Sequence, residues 1–385
     1  MKWCVRVSIF MLAILMCCWL CCYLVSAETE KVESTVSVSA KSAVLMCANN
    51  DSVIFEKNST DKMSMASTTK IMTTLLALEE AQANNKEVTF GKEMIAEGSS
   101  MYLNVGYKLK LTDLATGMMT VSGNDAANAA AIAVAGSIDK FAKLMNNKAK
   151  QIGMTSTNFV TPSGLDDDNH YSTALDMAKL MSYAMANKDF AQLTALKNAK
   201  VEFISPENMV VSYSNHNRLL SLYKYCNGGK TGFTKKSGRC LVTSAEKDGV
   251  KLIAVTLNAP DDWNDHINMY NYGFSKLQAV TNVDKNFSVT VSVVGGAKNR
   301  ITVKPVKAVE YIKEKDDNTD ITKKVIMDSF LYAPLEKGEV VGTVEYYLGN
   351  KQLCKIPLVT NEQIEYKPQD KGLFEKISDF FRELF

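Results

Sequence analysis

The hydrophobic pattern of this chain changes period near Val280, and that change does most to divide it into two differently built parts. Before it, strand-like and helix-like stretches interleave. Residues 43–46 and 53–55 are short apolar runs, while Ile71, Met72, Leu75, Leu76 and Leu78 form a stripe that predicts a helix over 67–82. The run 126–135 is so rich in alanine that it reads as a helix packed on all sides, and 137–152 as another, capped by Ser137 and stopped by Gly153. Thr173 and Asp176 resemble a capping box opening a further helix through Tyr183, with Asp where Glu or Gln is usual. Residues 239–244 and 251–257 read as strands. After Val280 the pattern alternates: Phe287, Val289, Val291 and Val293 share one face, followed by 301–306, 340–347 and 353–359 between turns. That texture predicts a small all-β domain, most simply a sandwich, behind one large mixed α/β (α+β) domain.

The ends carry different signals. Lys2 and Arg6 precede an apolar run over 7–25 that closes on Val25, Ser26 and Ala27, the order of regions in a secretory signal. The run exceeds the usual length of about 7–15 residues, so an uncleaved anchor is the alternative; either reading puts the bulk of the chain outside the cytoplasm. Of nine cysteines, five lie in this segment, and the other four, Cys47, Cys226, Cys240 and Cys354, are too scattered for a disulfide framework. They read as buried thiols, with one bridge left open. At the other end, Leu373, Phe374, Ile377, Phe380, Phe381, Leu384 and Phe385 fall on one helical face opposite Glu375, Lys376, Asp379, Arg382 and Glu383. A terminal helix of this kind is expected to lie in a membrane interface, the alternative being a helix docked on its own domain.

Composition excludes some classes. With 46% hydrophobic and 22% charged residues the chain is neither disordered nor fibrous. Its 44 basic and 42 acidic residues leave no basic excess for a nucleic-acid partner, and removal of 1–27 takes Lys2 and Arg6 and leaves it neutral. His170, His216 and His266 are isolated, and Asp166, Asp167 and Asp168 lack the alternating spacing of a calcium loop, so neither metal nor cofactor is expected.

Three short motifs carry chemistry. Ser67-Thr68-Thr69-Lys70 places a lysine amine beside a serine hydroxyl at helical spacing, and a desolvated lysine can serve as the base that serine needs. Ser122-Gly123-Asn124 opens the alanine-rich helix. Lys230-Thr231-Gly232, preceded by Gly228 and Gly229, offers a cation and a hydroxyl to a carboxylate on a backbone a ligand can approach closely. Each alone is common by chance. In this order they match the motif set of the penicillin-interacting serine enzymes.

The flanking residues narrow the match. Ala66 to Thr73, Val121 to Ala127, Asn217-Arg218-Leu219-Leu220, Gly229 to Thr234, Ser237 to Val242, and Tyr272-Gly273-Phe274 resemble the serine-type D-alanyl-D-alanine carboxypeptidases, the low-molecular-weight penicillin-binding proteins. Tyr332 to Leu335, Lys337-Gly338 and Gly342 look like that family's β-rich second domain, and the tail looks like its membrane anchor. The resemblance implies a signal over 1–27, a catalytic penicillin-binding domain over 28–280, a β-rich domain over 281–370 and an anchoring helix over 371–385. It implies acyl transfer on peptidoglycan stem peptides, with β-lactams as covalent inhibitors. Ser67 would be the nucleophile, Lys70 its base and Ser122 a proton relay, while Asn124 would hold the substrate amide and the Lys70 side chain. The backbone N–H groups of Ser67 and Phe233 would meet the oxyanion, and Lys230, Thr231 and Gly232, aided by Arg218 or His216, would bind the terminal carboxylate. Some relatives carry arginine nearer the place of His216 and histidine at that of Phe233. A crosslink endopeptidase, a β-lactamase and a non-catalytic penicillin sensor are the alternatives, although no glutamate between Asn124 and Lys200 is present to serve as a class A deacylation base.

Overall fold

The computed structural model describes residues 36–367 together with Ile377 and 380–383; the segment 1–27 and most of the terminal apolar face lie outside the described residues. In chain order the first part comprises β1 (Ser42–Cys47), β2 (Ser52–Lys57), a 3-10 turn (Ala66–Thr69), α1 (Lys70–Ala83), β3 (Glu87–Thr89), β4 (Lys108–Lys110), α2 (Leu111–Thr120), α3 (Asn124–Ala135) and α4 (Ile138–Gln151). It continues through α5 (Ala174–Ala186), α6 (Lys188–Thr194), β5 (Asn198–Glu202), β6 (Val210–Ser214), α7 (Leu219–Leu222), β7 (Cys226–Thr234), β8 (Gly238–Lys247), β9 (Val250–Leu257) and α8 (Asp262–Lys276).

An antiparallel sheet of order β2-β1-β9-β8-β7 is the frame, with β7 at one edge. Its central strands are near-continuous apolar runs because both faces are covered. Val44, Met46, Val242 and Val255 enter the core with α1 to α5. On the opposite face Leu45 and Leu252 meet α8 where it carries Gly273; a Cβ there would stand 2.8 and 2.7 Å from their methyls, so only glycine lets the helix lie this close. The alanine-rich helix α3 runs through the core with Ala126, Ala127, Ala129, Ala130 and Ala131 fully buried. Its last turn, 132–135, is half-buried, so the expected burial on all sides holds for the first two turns only.

The capping reading also needs adjustment. Thr173 caps α5, accepting from the Asp176 N–H at 3.0 Å, but the Asp176 carboxylate turns away to accept from the Ser156 N–H and the Thr157 hydroxyl, each at 2.8 Å. Competition from these donors, not side-chain length, is the reason, because the aspartate at the same position of α2, Asp113, does accept from the Lys110 N–H at 3.0 Å. Ser137 caps α4 as expected, and Gly153, at φ +78°, ends it.

The second part contains β10 (Leu277–Val283), β11 (Val289–Val294), β12 (Arg300–Pro305), β13 (Val309–Glu314), β14 (Ile321–Met327), β15 (Phe330–Tyr332), β16 (Val340–Leu348) and β17 (Lys351–Thr360). Six of these form a sheet of order β14-β16-β17-β12-β11-β15, while β10 pairs with β13. Val309 of β13 shares one core with Val291, Ile301, Val303, Val344, Ile356 and Leu358 of the larger sheet. All four cysteines after the N-terminal segment are free thiols, Cys47 and Cys240 buried and Cys226 and Cys354 half-buried.

Candidate active site

The 3-10 turn at the head of α1 sets the site. Ala66 sits at φ +46°, and the Thr68 and Thr69 hydroxyls donate back to Met65 O and Ala66 O at 2.6 and 2.8 Å, locking the turn on which Ser67 rides. β7 lies directly against it. A Cβ at Gly232 would stand 3.0 Å from Met65 O and 3.1 Å from both Ser67 N and Thr68 N, which explains the glycine of the third motif as a requirement of close approach.

One turn after Ser67, Lys70 enters α1 with its amine fully buried. Its Nζ lies 3.1 Å from Ser67 Oγ and 2.6 Å from both Asn124 Oδ1 and Ser163 O. Burial drives its pKa far below the ordinary lysine value; the nearby Lys230 pushes it the same way, and Asp125 opposes them. A neutral amine fits this geometry. Its two hydrogens go to the two carbonyl oxygens, which only accept, and its lone pair is left for the proton of Ser67.

Ser122 stands at φ +63°, and its buried hydroxyl has no hydrogen-bond partner among the described residues. An unsatisfied buried hydroxyl is costly and suits a group that acquires its partner with the substrate. Asn124 begins α3; besides holding Lys70 through Oδ1, its Nδ2 donates to Glu97 O at 2.6 Å, which leaves one amide hydrogen uncommitted by that bond. The Asp125 carboxylate accepts from the Ser100 hydroxyl and from the N–H groups of Met101 and Leu103, fixing the loop that carries Ser99.

Lys230 is also fully buried, and its Nζ donates to Thr231 O at 3.0 Å. Burial pushes its pKa down to about 7, and a carboxylate beside it would favour the charged form.

These groups surround a cleft of about 550 Å³. Ser67, Ser122, His216, Arg218, Thr231, Gly232 and Phe233 line it, with Lys70, Asn124 and Lys230 buried outside its lining. His216 and Arg218 thus both reach the cleft. Both side chains are exposed; partial desolvation, then Lys230, lowers the pKa of His216 and makes it a poor cation, whereas the Arg218 guanidinium is always charged. Phe233 is 66% exposed, so its side chain is no part of the core.

Motif reading missed two kinds of residue. Arg239, Asp262 and Trp263 form one wall, Arg239 Nη2 lying 2.7 Å from Asp262 Oδ1 and its guanidinium 5.5 Å from the Trp263 ring centroid. The carbonyl oxygens of Ser163 and Glu97 had no sequence signal, being backbone atoms of irregular loops.

Comparison with known proteins identifies the family. A family model described as D-alanyl-D-alanine carboxypeptidase matches residues 28–261, and a model of the penicillin-binding protein 5 C-terminal domain matches 278–366. The D-alanyl-D-alanine carboxypeptidase DacC of Escherichia coli (strain K12) is 34% identical over 369 residues, covering 91% of this chain and 90% of its own. DacF of Bacillus subtilis (strain 168), also a D-alanyl-D-alanine carboxypeptidase, is 30% identical over 350 residues, with 88% and 89% covered. The crystal structure of penicillin binding protein 5 from Haemophilus influenzae superposes with a TM-score of 0.66 at 27% identity, covering 86% of this chain and 99% of that one. With the catalytic model spanning more than half of it and relatives aligned nearly end to end, the chain belongs to the D-alanyl-D-alanine carboxypeptidase family of serine peptidases.

Proposed function

We propose that this protein removes the terminal D-Ala from peptidoglycan stem pentapeptides through an acyl-enzyme on Ser67. The observation that carries the proposal is the buried Lys70 amine, 3.1 Å from Ser67 Oγ and held by two carbonyl acceptors. In this reading Ser67 Oγ attacks the carbonyl carbon of the penultimate D-Ala while Lys70 takes its proton. The backbone N–H groups of Ser67 and Phe233 receive the developing oxyanion, the terminal carboxylate meets Lys230 and Thr231, and Arg218 is the better placed of the two auxiliary candidates because its charge is permanent. Ser122 passes a proton to the nitrogen of the departing D-Ala as its C–N bond breaks. Water then adds to the ester carbonyl and returns Ser67. A β-lactam enters the same cycle, and its ring opening gives an ester that water removes slowly.

Residues 1–27 are proposed as a secretory signal and 371–385 as an anchor that holds the catalytic domain, 28–280, and the β-rich domain, 281–370, at the outer face of the cytoplasmic membrane. The exposure of Ile377, Phe380 and Phe381 supports the anchor. Among the described residues no helix is long and apolar enough to cross a membrane.

The test is release of D-alanine from a soluble stem peptide ending in D-Ala-D-Ala, comparing the protein with its Ser67→Ala variant. Release that depends on Ser67 supports the reading. A folded, penicillin-labelled protein that releases none would be a crosslink endopeptidase or a sensor instead.

A further inference from the structure

The loop 161–170 lies on the catalytic turn with only short bends and turns of its own. Gly164, at φ +85°, is so close that a Cβ would stand 2.0 Å from Ala66 O. Pro162 O accepts from the Thr73 hydroxyl at 2.6 Å, and Ser163 O accepts from Lys70 Nζ at 2.6 Å. A backbone bridge between Asn158 and Tyr171 closes the neck of the loop, but no ladder runs through 161–170 itself, and the buried side chain at its end is His170.

The imidazole makes three contacts that define its tautomer. Nδ1 accepts from the Val160 N–H at 2.9 Å and the Thr161 N–H at 3.3 Å, so it bears no proton. Nε2 therefore carries the proton and donates to Thr69 Oγ1 at 2.8 Å, and that hydroxyl donates onward to Ala66 O at 2.8 Å. One ring thus ties the base of the loop to the turn bearing Ser67.

Resting on the reading of Lys70 as the base, we infer that His170 is a positioning residue for the catalytic amine: its neutral imidazole holds the 161–170 loop so that Ser163 O stands on Lys70 Nζ. The charged surroundings agree. Burial dominates and pushes the His170 pKa down to about 4; Asp167 and Asp166 on its own loop favour the cation, and Lys70 on α1 opposes it. Asp166 is bonded to the hydroxyls of Ser64 and Thr234, and Asp167 to the Asn169 N–H. Around Lys70 the charged groups are Lys230 on β7 and Asp125 on α3. His170 therefore stays neutral across the range in which Lys70 works, and its role is geometric.

The test is the rate of covalent labelling by a fluorescent penicillin as a function of pH, with folding followed by circular dichroism. His170→Leu leaves the Val160 and Thr161 N–H groups without an acceptor, and the loop lifts from the amine. Water then reaches Lys70, which regains its proton at higher pH, moving the acid limb of the profile up by about one unit and slowing labelling about tenfold at pH values below that limb. His170→Asn returns an acceptor at the Nδ1 position and restores the limb. Thr69→Val cuts the tie at its other end and gives an intermediate shift. A folded His170→Leu protein with the wild-type acid limb, or one slowed equally at every pH, overturns the inference. If His170→Leu does not fold, an unmoved limb in Thr69→Val overturns it. A wild-type profile without an acid limb would refute Lys70 as the base, and the role of His170 with it, whereas loss of labelling in Ser67→Ala bears only on the nucleophile.

Discussion

Replacing Lys230 with methionine should make this protein more stable while disabling it. Lys230 is fully buried with a pKa pushed down to about 7, against an ordinary 10.5, and burial is the cause. At about 1.36 kcal/mol per unit, that gap of roughly 3.5 units is a folding cost on the order of 5 kcal/mol. The sign follows from proton counting. Between pH 7 and 10.5 the unfolded chain binds more protons at this lysine than the native state, so stability rises with pH across that window and levels off below about 7. Methionine has a similar length and no charge. Subtracting about 1 kcal/mol for the lost bond to Thr231 O leaves Lys230→Met more stable by roughly 3–4 kcal/mol at pH 6, with the advantage largely gone by pH 10. Lys70 adds to the effect with the same sign, since its own pKa is lowered in part by Lys230. The assay is urea unfolding between pH 6 and 10. Trp263 is the only tryptophan after residue 27, so fluorescence of the chain lacking that segment reports on the catalytic domain alone. Raised thiol and phenol pKa values elsewhere are common to both proteins and cancel in the difference. A difference in stability that stays flat across this pH range would refute the argument that burial suppresses the Lys230 charge.

Gly232→Ala should slow penicillin acylation about 10- to 100-fold, because the new Cβ presses on backbone atoms of the Ser67 turn at 3.0–3.1 Å and shifts the oxyanion donors; stopped-flow labelling of folded protein reads this. Asp125→Ala removes the acceptor for three groups of the 100–103 loop and should cost about 2–4 kcal/mol in urea unfolding, with slower acylation as Asn124 and Ser99 lose their support. Binding of a D-Ala-terminated peptide near pH 7 to the Ser67→Ala protein should draw a fraction of a proton onto Lys230, seen in calorimetry as a heat that depends on buffer ionisation enthalpy. Deletion of 373–385 should move the protein from the membrane fraction to the soluble one, and retention would favour an uncleaved N-terminal anchor.

The side chains of the site were legible because three short motifs, each weak alone, occur in one order. Their positions on a helix start, a helix entrance and a strand could be read as well. What holds them was not. Ser163 O and Glu97 O act as backbone carbonyls, and any residue type supplies one, so their loops leave no trace in composition or period. His170 was visible but read as an isolated structural histidine, since its contacts lie on a turn 101 residues away in sequence. Alternation marked the strands after Val280 yet could not assign their partners: period two fixes which face is buried, not that β11 runs parallel to β15 and antiparallel to β12. The Asp176 carboxylate shows the same limit, because its backbone-capping reading was overtaken by a competing N–H from residue 156.

β7 closes one end of the five-stranded sheet, and its outer margin borders the cleft. An exposed strand margin that can accept a peptide can also accept a strand from another protein molecule, so access to substrate brings a hazard of self-association. The composition of β7 limits that hazard. Gly228, Gly229 and Gly232 are poor strand formers, the exposed pair Lys235 and Lys236 follows at once, and the Ser67 turn occupies part of the margin. Only a short, extended chain carrying a negative charge at its end is well matched to what remains, and the terminus of a cell-wall peptide has that form. In the proposed mode of substrate binding, the same nine-residue strand that borders the cleft also limits edge-to-edge pairing.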